Sequence, residues 1–388
     1  MPKTRFENSL YRLSLAVSAP RLEREPELAV NGTDYLRAQD HYVRLLRKHH
    51  VMGSALLLKD DDRRIVVLCS SRNPRHTVSS DSMFRVASIT KMATALAALA
   101  AVEEGKLSLT EPIPAFFPSL HPIPAVLKDV TLRHLLSHTS GLKDPDQLVK
   151  ALEDGIPFPD LLPDAQGCPP GSQFRYSNLG YGLVGCMLEA VYDMNVSMVL
   201  QKKVFEPLKM RATLDASTLR DDEIVPICRV RGYHPGTDLI RTRLGSTPLT
   251  QPEPLIHYGY TAGSMYVDVQ SLEKLLSCLK ADGKPVLKTS VGALMKQEQA
   301  SYGKADPSLS YGLGILIIRD SSLSDSRILG HQGFAYGCAD GAFWEESTGR
   351  TVIFLNGGAS EARRGRLGVC NYDILKWALR EEMTEWSE

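Results

Sequence analysis

The chain has 388 residues, with Lys+Arg and Asp+Glu both at 45 and a formal net charge of zero. That balance argues against a nucleic acid or another polyanion as partner, and no apolar run approaches the length of a membrane span. The seven cysteines are odd in number and scattered without a C-x-x-C, which suits free thiols in a reducing compartment. Near the N-terminus, Lys3, Arg5 and Arg12 accompany only a short apolar piece, 13–19, broken by two serines. It makes a poor signal peptide, so a cytoplasmic location is expected.

In chain order, residues 1–31 read as an appendage: 10–19 suits a short strand or helix, and the charged, proline-containing piece 20–31 suits a linker. Thr33 or Asp34 can cap a helix running to about His50, with Tyr35, Tyr42, Val43 and Leu46 on one side. His49 and His50 read as an exposed helix end. Two apolar runs, 54–58 and 65–68, joined by Asp60-Asp61-Asp62, read as a β-hairpin. Residues 84–99 follow, and from Ala93 to Ala101 nearly every residue is Ala or Leu. A helix apolar all round belongs in the middle of a fold.

From about 106 to 250 the chain carries helix signals and prolines. Helices are expected at 131–138, at 178–194 and at 196–207, the last ending at its proline. Segment 215–256 has no clear period and reads as surface loop bordering the site. A helix over 271–281 follows Asp268. Strand patterns return at 311–319, 327–329, 338–344 and 351–356, before an amphipathic helix at 367–383. Strands at both ends around inserted helices predict an α+β fold, one antiparallel sheet closed by distant segments and flanked by helices. The expected division is an appendage over 1–31 and one domain over 32–388. Its α/β part is 32–90 and 260–388, and its mostly helical part is 91–259.

Three remote pieces supply hydroxyls and bases. Ser88 and Lys91 stand three apart at the start of the apolar helix, so they share a face near the positive end of its dipole. Burial favours a neutral lysine amine, which can accept a hydroxyl proton. Alone, the pair also suits a helix cap beside an ordinary cation. Tyr176-Ser177-Asn178 follows Pro169-Pro170-Gly171 and, taken singly, is a turn into a helix. His331-Gln332-Gly333 follows Gly330, and His331 taken singly is a hydrogen-bonded core histidine. His134 and His138 are i, i+4 but lack an H-E-x-x-H glutamate and a third ligand, so packing is preferred to metal. The absence of G-x-S-x-G and of a P-loop excludes the α/β-hydrolase elbow and the P-loop nucleotide sites.

Together the three pieces resemble the S-x-x-K, Y-x-N, [KH]-x-G signature of the serine β-lactamase and penicillin-binding-protein superfamily. Their form is similar to the class C-like branch, with its DD-carboxypeptidases, D-aminopeptidases, esterases and transesterases. The flanking text is similar too, from about residue 35 onward. It includes Phe84 to Lys91, Glu104-Gly105-Lys106-Leu107, Leu132 to Leu142, Pro207-Leu208-Lys209-Met210, Ala262-Gly263, Tyr311-Gly312-Leu313-Gly314 and Gly330 to Gly333. Lys209 stands where a glycine is usual, and Ser264 where a second glycine often follows Ala-Gly.

The resemblance implies a β-lactamase-like fold and a serine hydrolase that needs no cofactor and no metal. Ser88 is then the nucleophile that forms an acyl-enzyme. Lys91 and Tyr176 share the proton traffic, with the acylation base left open between them. Asn178 holds the Lys91 amine and the substrate amide. His331 belongs to the catalytic set. The backbone N–H groups of Ser88 and Phe334 form the oxyanion hole, and Gln332 and Gly333 bind substrate. A histidine at 331 in place of a permanent cation disfavours a β-lactamase, and the poor signal peptide disfavours a DD-carboxypeptidase of the cell wall, relative to an enzyme cutting a small ester or a D-amino-acid amide or peptide. An acyltransferase or thioesterase-like enzyme and a non-catalytic penicillin or peptide binder are the other readings. The expected partner is a small-molecule or peptide substrate.

Overall fold

The computed structural model describes residues 27–30, 36–61, 63–70, 77–117, 120, 122–229, 232–233, 248–288, 290–335 and 337–380. The expectations for 10–19 and for caps at Thr33 and Asp34 lie outside them. Nine strands form the main sheet: β1 (Glu27–Val30), β2 (Ser54–Lys59), β3 (Arg64–Cys69), β4 (Ala300–Ser301), β5 (Leu309–Tyr311), β6 (Leu316–Ile318), β7 (Ile328–Ala335), β8 (Cys338–Glu345) and β9 (Thr351–Asn356). Their order is β1-β3-β2-β9-β8-β7-β6-β5-β4, antiparallel throughout. The fold is α+β. The expected closure by distant segments is the β2–β9 seam, where Leu57 faces Ile353. Ser54 Oγ donates to Asn356 Oδ1 at the end of that seam, at 2.6 Å.

Both faces of the sheet are covered, which is why its strands read as unbroken apolar runs. Ala55 and Leu57 point into a core shared with α2 (Thr90–Glu103), while Leu56 and Leu58 point into a second core with α1 (Leu36–Lys48) and α8 (Val369–Arg380). The helical region holds α3 (Leu132–Leu136), α4 (Leu148–Glu153), α5 (Asn178–Tyr192) and α6 (Val196–Leu200) with shorter turns, and α7 (Val269–Lys280) returns to the sheet. Every residue of α2 from Thr90 to Ala101 is buried, as its composition requires.

Several boundaries differ from expectation, each for a local reason. Residues 27–30, inside the expected linker, pair with β3 as an edge strand. The single strand expected over 311–319 is a hairpin, because Gly314 takes a φ of +78° and turns the chain so that Tyr311 pairs with Leu316. The strand expected to end at 329 runs on through His331-Gln332-Gly333. The helix expected to 207 is α only to Leu200 and continues as a π-helical turn over Gln201–Phe205. The helix after Asp268 begins at Val269 with Asp268 as its cap. His49 is fully buried rather than exposed, and its Nε2 lies 2.8 Å from Asp373 Oδ2 on α8. Lys209 has a φ of +51°, the left-handed conformation in which glycine is the cheap residue.

Candidate active site

Ser88 sits in a 3-10 turn, Ala87–Ile89, that feeds directly into α2. Ala87 holds a φ of +43°, unusual for a residue with a side chain. Two hydrogen bonds brace it: Thr90 Oγ1 donates to Ala87 O at 2.6 Å, and Val86 N donates to Met265 O at 3.0 Å. One turn on, Lys91 is completely buried, and its Nζ lies 3.1 Å from Ser88 Oγ. The same nitrogen donates to Asn178 Oδ1 at 3.0 Å and to Ala262 O at 2.6 Å. Burial pulls the amine from the ordinary lysine range down to about 7; Asp144 opposes that fall and Arg85 adds to it.

Tyr176 donates its hydroxyl hydrogen to Ser88 Oγ at 2.7 Å. Burial raises this phenol well above the usual tyrosine range, with the hydrogen bond to Ser88 acting the other way. The ring rests on His138, centroid to centroid 4.1 Å. His138 Nδ1 accepts from the Ser177 backbone N–H at 3.2 Å, and His134 Nδ1 closes the capping box of α3 by accepting from Thr131 N at 3.3 Å. Both histidines of the i, i+4 pair thus hold the backbone around Tyr176 and α3.

Asp144 is a residue the sequence reading missed. Its carboxylate accepts from Ser177 Oγ (2.9 Å), Asn178 N (3.0 Å), Asn178 Nδ2 (2.9 Å) and Leu179 N (2.9 Å). It therefore satisfies the orphan donors at the N-terminus of α5 and turns the Asn178 amide toward Lys91. The signal was an acidic residue two positions after Gly141-Leu142, which reads as loop until the α5 terminus is brought against it.

His331, Gln332 and Gly333 lie on β7 beside the Ser88 turn. Gly333 is there for space: a Cβ would sit 2.3 Å from Val86 O. The His331 ring borders the site, but both nitrogens are engaged within the protein. Nδ1 lies 2.6 Å from Gln332 O, an acceptor, so it carries the hydrogen, and Nε2 accepts from the Tyr311 hydroxyl at 2.8 Å. Burial, helped by the Lys91 charge, lowers the ring to about 3. His331 is a neutral brace here, not a proton carrier. The Gln332 amide is likewise occupied: Nε2 donates to Arg366 O at 2.7 Å, and Oε1 accepts from Gly368 N at 3.1 Å and Asn371 Nδ2 at 3.2 Å. It clamps the hairpin of Arg363–Arg364 and Leu367–Gly368 to β7, and it also lines the cavity of Ser88, with one of its two Nε2 hydrogens committed to Arg366 O.

A family model described as Beta-lactamase matches residues 38–365. The chain belongs to the beta-lactamase family. It is 27% identical over 346 residues to Esterase EstB of Burkholderia gladioli, spanning 79% of this chain and 85% of that protein. It is 26% identical over 280 residues to Penicillin-binding protein 4 of Amycolatopsis lactamdurans, spanning 69% and 71%. Among solved structures, D-amino acid amidase from Ochrobactrum anthropi SV3 complexed with L-phenylalanine aligns with a TM-score of 0.67 at 22% identity, over 89% of this chain and 97% of that one. The octameric penicillin-binding protein homologue from Pyrococcus abyssi aligns with a TM-score of 0.66 at 22% identity, over 89% and 77%. These structural likenesses establish the fold.

Within this beta-lactamase-family fold, Ser88, Tyr176, Asn178 and His331 open onto a cavity of about 540 Å³, a size suited to a small-molecule site. Phe334, whose backbone N–H is the second expected oxyanion donor, lines the same cavity. Among the described residues no single helix is long and apolar enough to cross a membrane. Among the described cysteines, Cys69, Cys186, Cys278, Cys338 and Cys370 are buried and Cys168 is partly exposed.

Proposed function

We propose that the protein is a serine hydrolase that forms an acyl-enzyme on Ser88 and cleaves a small ester or a D-amino-acid amide or peptide bond. One observation carries this reading. Two of the three groups around Lys91 Nζ, Asn178 Oδ1 and Ala262 O, are carbonyl oxygens that can only accept. A neutral amine gives both its hydrogens to them and leaves its lone pair facing the Ser88 hydroxyl. Burial keeps a useful fraction of Lys91 neutral near pH 7, so Lys91 is the acylation base and Tyr176 the acid.

In the acylation step Ser88 Oγ bonds to the carbonyl carbon while its proton passes to Lys91 Nζ. The tetrahedral oxyanion is held by the N–H groups of Ser88 and Phe334. As the carbon–leaving-group bond breaks, the Tyr176 hydroxyl gives the leaving group a proton and is reprotonated from Lys91. Water resolves the acyl-enzyme by the reverse traffic. The family assignment and the esterase among the relatives support this chemistry. Residues 32–388 act as one catalytic unit in this reading, and the odd, scattered set of seven cysteines suits a reducing, cytoplasmic compartment.

Intact-mass spectrometry tests it. A fluorophosphonate adds one adduct to the protein and none to Ser88→Ala. Among p-nitrophenyl esters, D-aminoacyl p-nitroanilides and nitrocefin, an ester or anilide gives a transient acyl adduct. Added alcohols or amines that capture the acyl group faster than water would favour acyl transfer over hydrolysis. Absence of any adduct at Ser88 sinks the proposal.

A further inference from the structure

The cavity of Ser88 has an apolar part. Helix α4 presents Leu148, Val149 and Leu152 to it, positions i, i+1 and i+4 on one face. Leu148 and Leu152 are 9% and 8% exposed and belong to the core, but Val149 is 42% exposed. Among the described residues only three large hydrophobic side chains are this exposed, Ile123, Val149 and Met198, and of these Val149 alone lines the cavity of Ser88. An apolar side chain left uncovered beside a nucleophile has a ready use: substrate covers it on binding.

The position of α4 indicates which part of the substrate this is. Asp144, four residues before α4, is bonded to Asn178, which ties the chain leading into α4 to the residue that holds Lys91. The same cavity is lined by Arg363 and Tyr302, both close enough to the Tyr176 phenol to interact with it electrostatically. Arg363 stacks over the Phe334 ring at 4.5 Å. With Tyr176 taken as the acid that serves the leaving group, the apolar lining from α4, tied through Asp144 to Asn178, is assigned to the acyl group. Resting on the acyl-enzyme reading above, we infer that Leu148, Val149 and Leu152 form an acyl-binding wall and that the preferred acyl group is apolar and uncharged away from the reacting carbonyl.

The test is an acyl series of p-nitrophenyl esters (acetate, butyrate, hexanoate) with p-nitrophenyl hydrogen succinate as the charged comparison, run on wild type, Val149→Asp and Val149→Leu. The wild-type kcat/KM is expected to rise by roughly fourfold per methylene from acetate to butyrate, and to be lowest for the succinate. Val149→Asp is expected to cut the hexanoate-to-acetate ratio by about tenfold, and Val149→Leu to preserve it. Because Val149 is exposed, the fold survives both changes, which a melting curve checks. A flat series, a preference for succinate, or a ratio indifferent to Val149→Asp overturns the acyl wall. A protein whose Ser88 takes a fluorophosphonate but none of these esters overturns it as well and leaves the nucleophile standing. An unlabelled Ser88 removes the acyl-enzyme reading and this inference with it.

Discussion

Asp144 Oδ2 lies 2.9 Å from the Asn178 amide nitrogen, and that bond fixes which end of the amide faces the buried Lys91. A carboxylate accepts and never donates, so Nδ2 must turn to Asp144 and Oδ1 to Lys91 Nζ, 3.0 Å away. A loop aspartate thereby sets the hydrogen-bond acceptors of a buried amine on another helix. Asp144→Ala removes four hydrogen bonds to a charged acceptor at the start of α5, while Ser177 Oγ still accepts from Gly180 N. Losing such a charge-bonded cap is expected to cost about 2–4 kcal/mol, read as a lower urea midpoint. Acylation should fall as well, because Asn178 can then rotate. A variant that keeps both wild-type stability and wild-type labelling of Ser88 would contradict the role given to Asp144.

The pH dependence follows from which groups titrate near neutrality. Burial brings Lys91 to about 7, while the same cause holds His331 at about 3 and Tyr176 above its usual range. A base must be neutral to act, so kcat/KM for acylation should rise with pH through an acid limb near 7, and that limb reports the coupled Lys91–Tyr176 pair. His331→Gln should change the rate without moving the limb, since His331 is already neutral across this range. Asp144 raises Lys91, so Asp144→Ala should move the limb to lower pH. A limb displaced by His331→Gln and untouched by Asp144→Ala would reverse the assignment.

Lys91 also makes a stability prediction, with a sign. Unfolded, the amine titrates in the ordinary lysine range; folded, it titrates at about 7. Between those values the native state binds fewer protons than the unfolded one, so stability rises with pH. Its contribution is greatest above the unfolded value and is lost as pH falls through the folded value. Lys91→Met should therefore be more stable than wild type at pH 6, by an amount on the order of a few kcal/mol, with the gap shrinking steadily toward pH 10. Denaturant melts of both proteins across that interval measure it, and a gap independent of pH would be evidence against a depressed amine.

What could be read from the sequence was whatever depended on local pattern. The Ala/Leu run of α2, and the two apolar runs of β2 and β3 around an acidic turn, are stated by composition. The Ser88–Lys91 contact follows from helical spacing alone. The partners that tune the site are set by tertiary approach. Asp144 looked like loop because the α5 terminus it caps is 34 residues away. The bonds that hold the His331 ring and the Gln332 amide were not legible, because Tyr311 and the Arg363–Gly368 hairpin reach them only after β5, β7 and the last hairpin assemble. His49 was misplaced for the same reason: its partner Asp373 is on the last helix.

Gly333 is where strand and nucleophile meet most closely. A Cβ there would lie 2.3 Å from Val86 O, two residues before Ser88, and 3.2 Å from Asp340 Cβ behind it. The nearest neighbour is backbone and the other a buried side chain, so the strain cannot be relieved by swinging a flexible tip. Gly333→Ala must push β7 away from the 3-10 turn, and with it the Phe334 N–H away from Ser88. A misplacement approaching 1 Å costs on the order of a hundredfold in rate, so fluorophosphonate labelling of Ser88 should slow by about that factor. The melting temperature should drop too, because overpacking of this kind costs roughly 1–3 kcal/mol. If Gly333→Ala labels as fast as wild type, the Phe334 N–H is not part of the oxyanion hole, and the donor has to be sought elsewhere around the cavity.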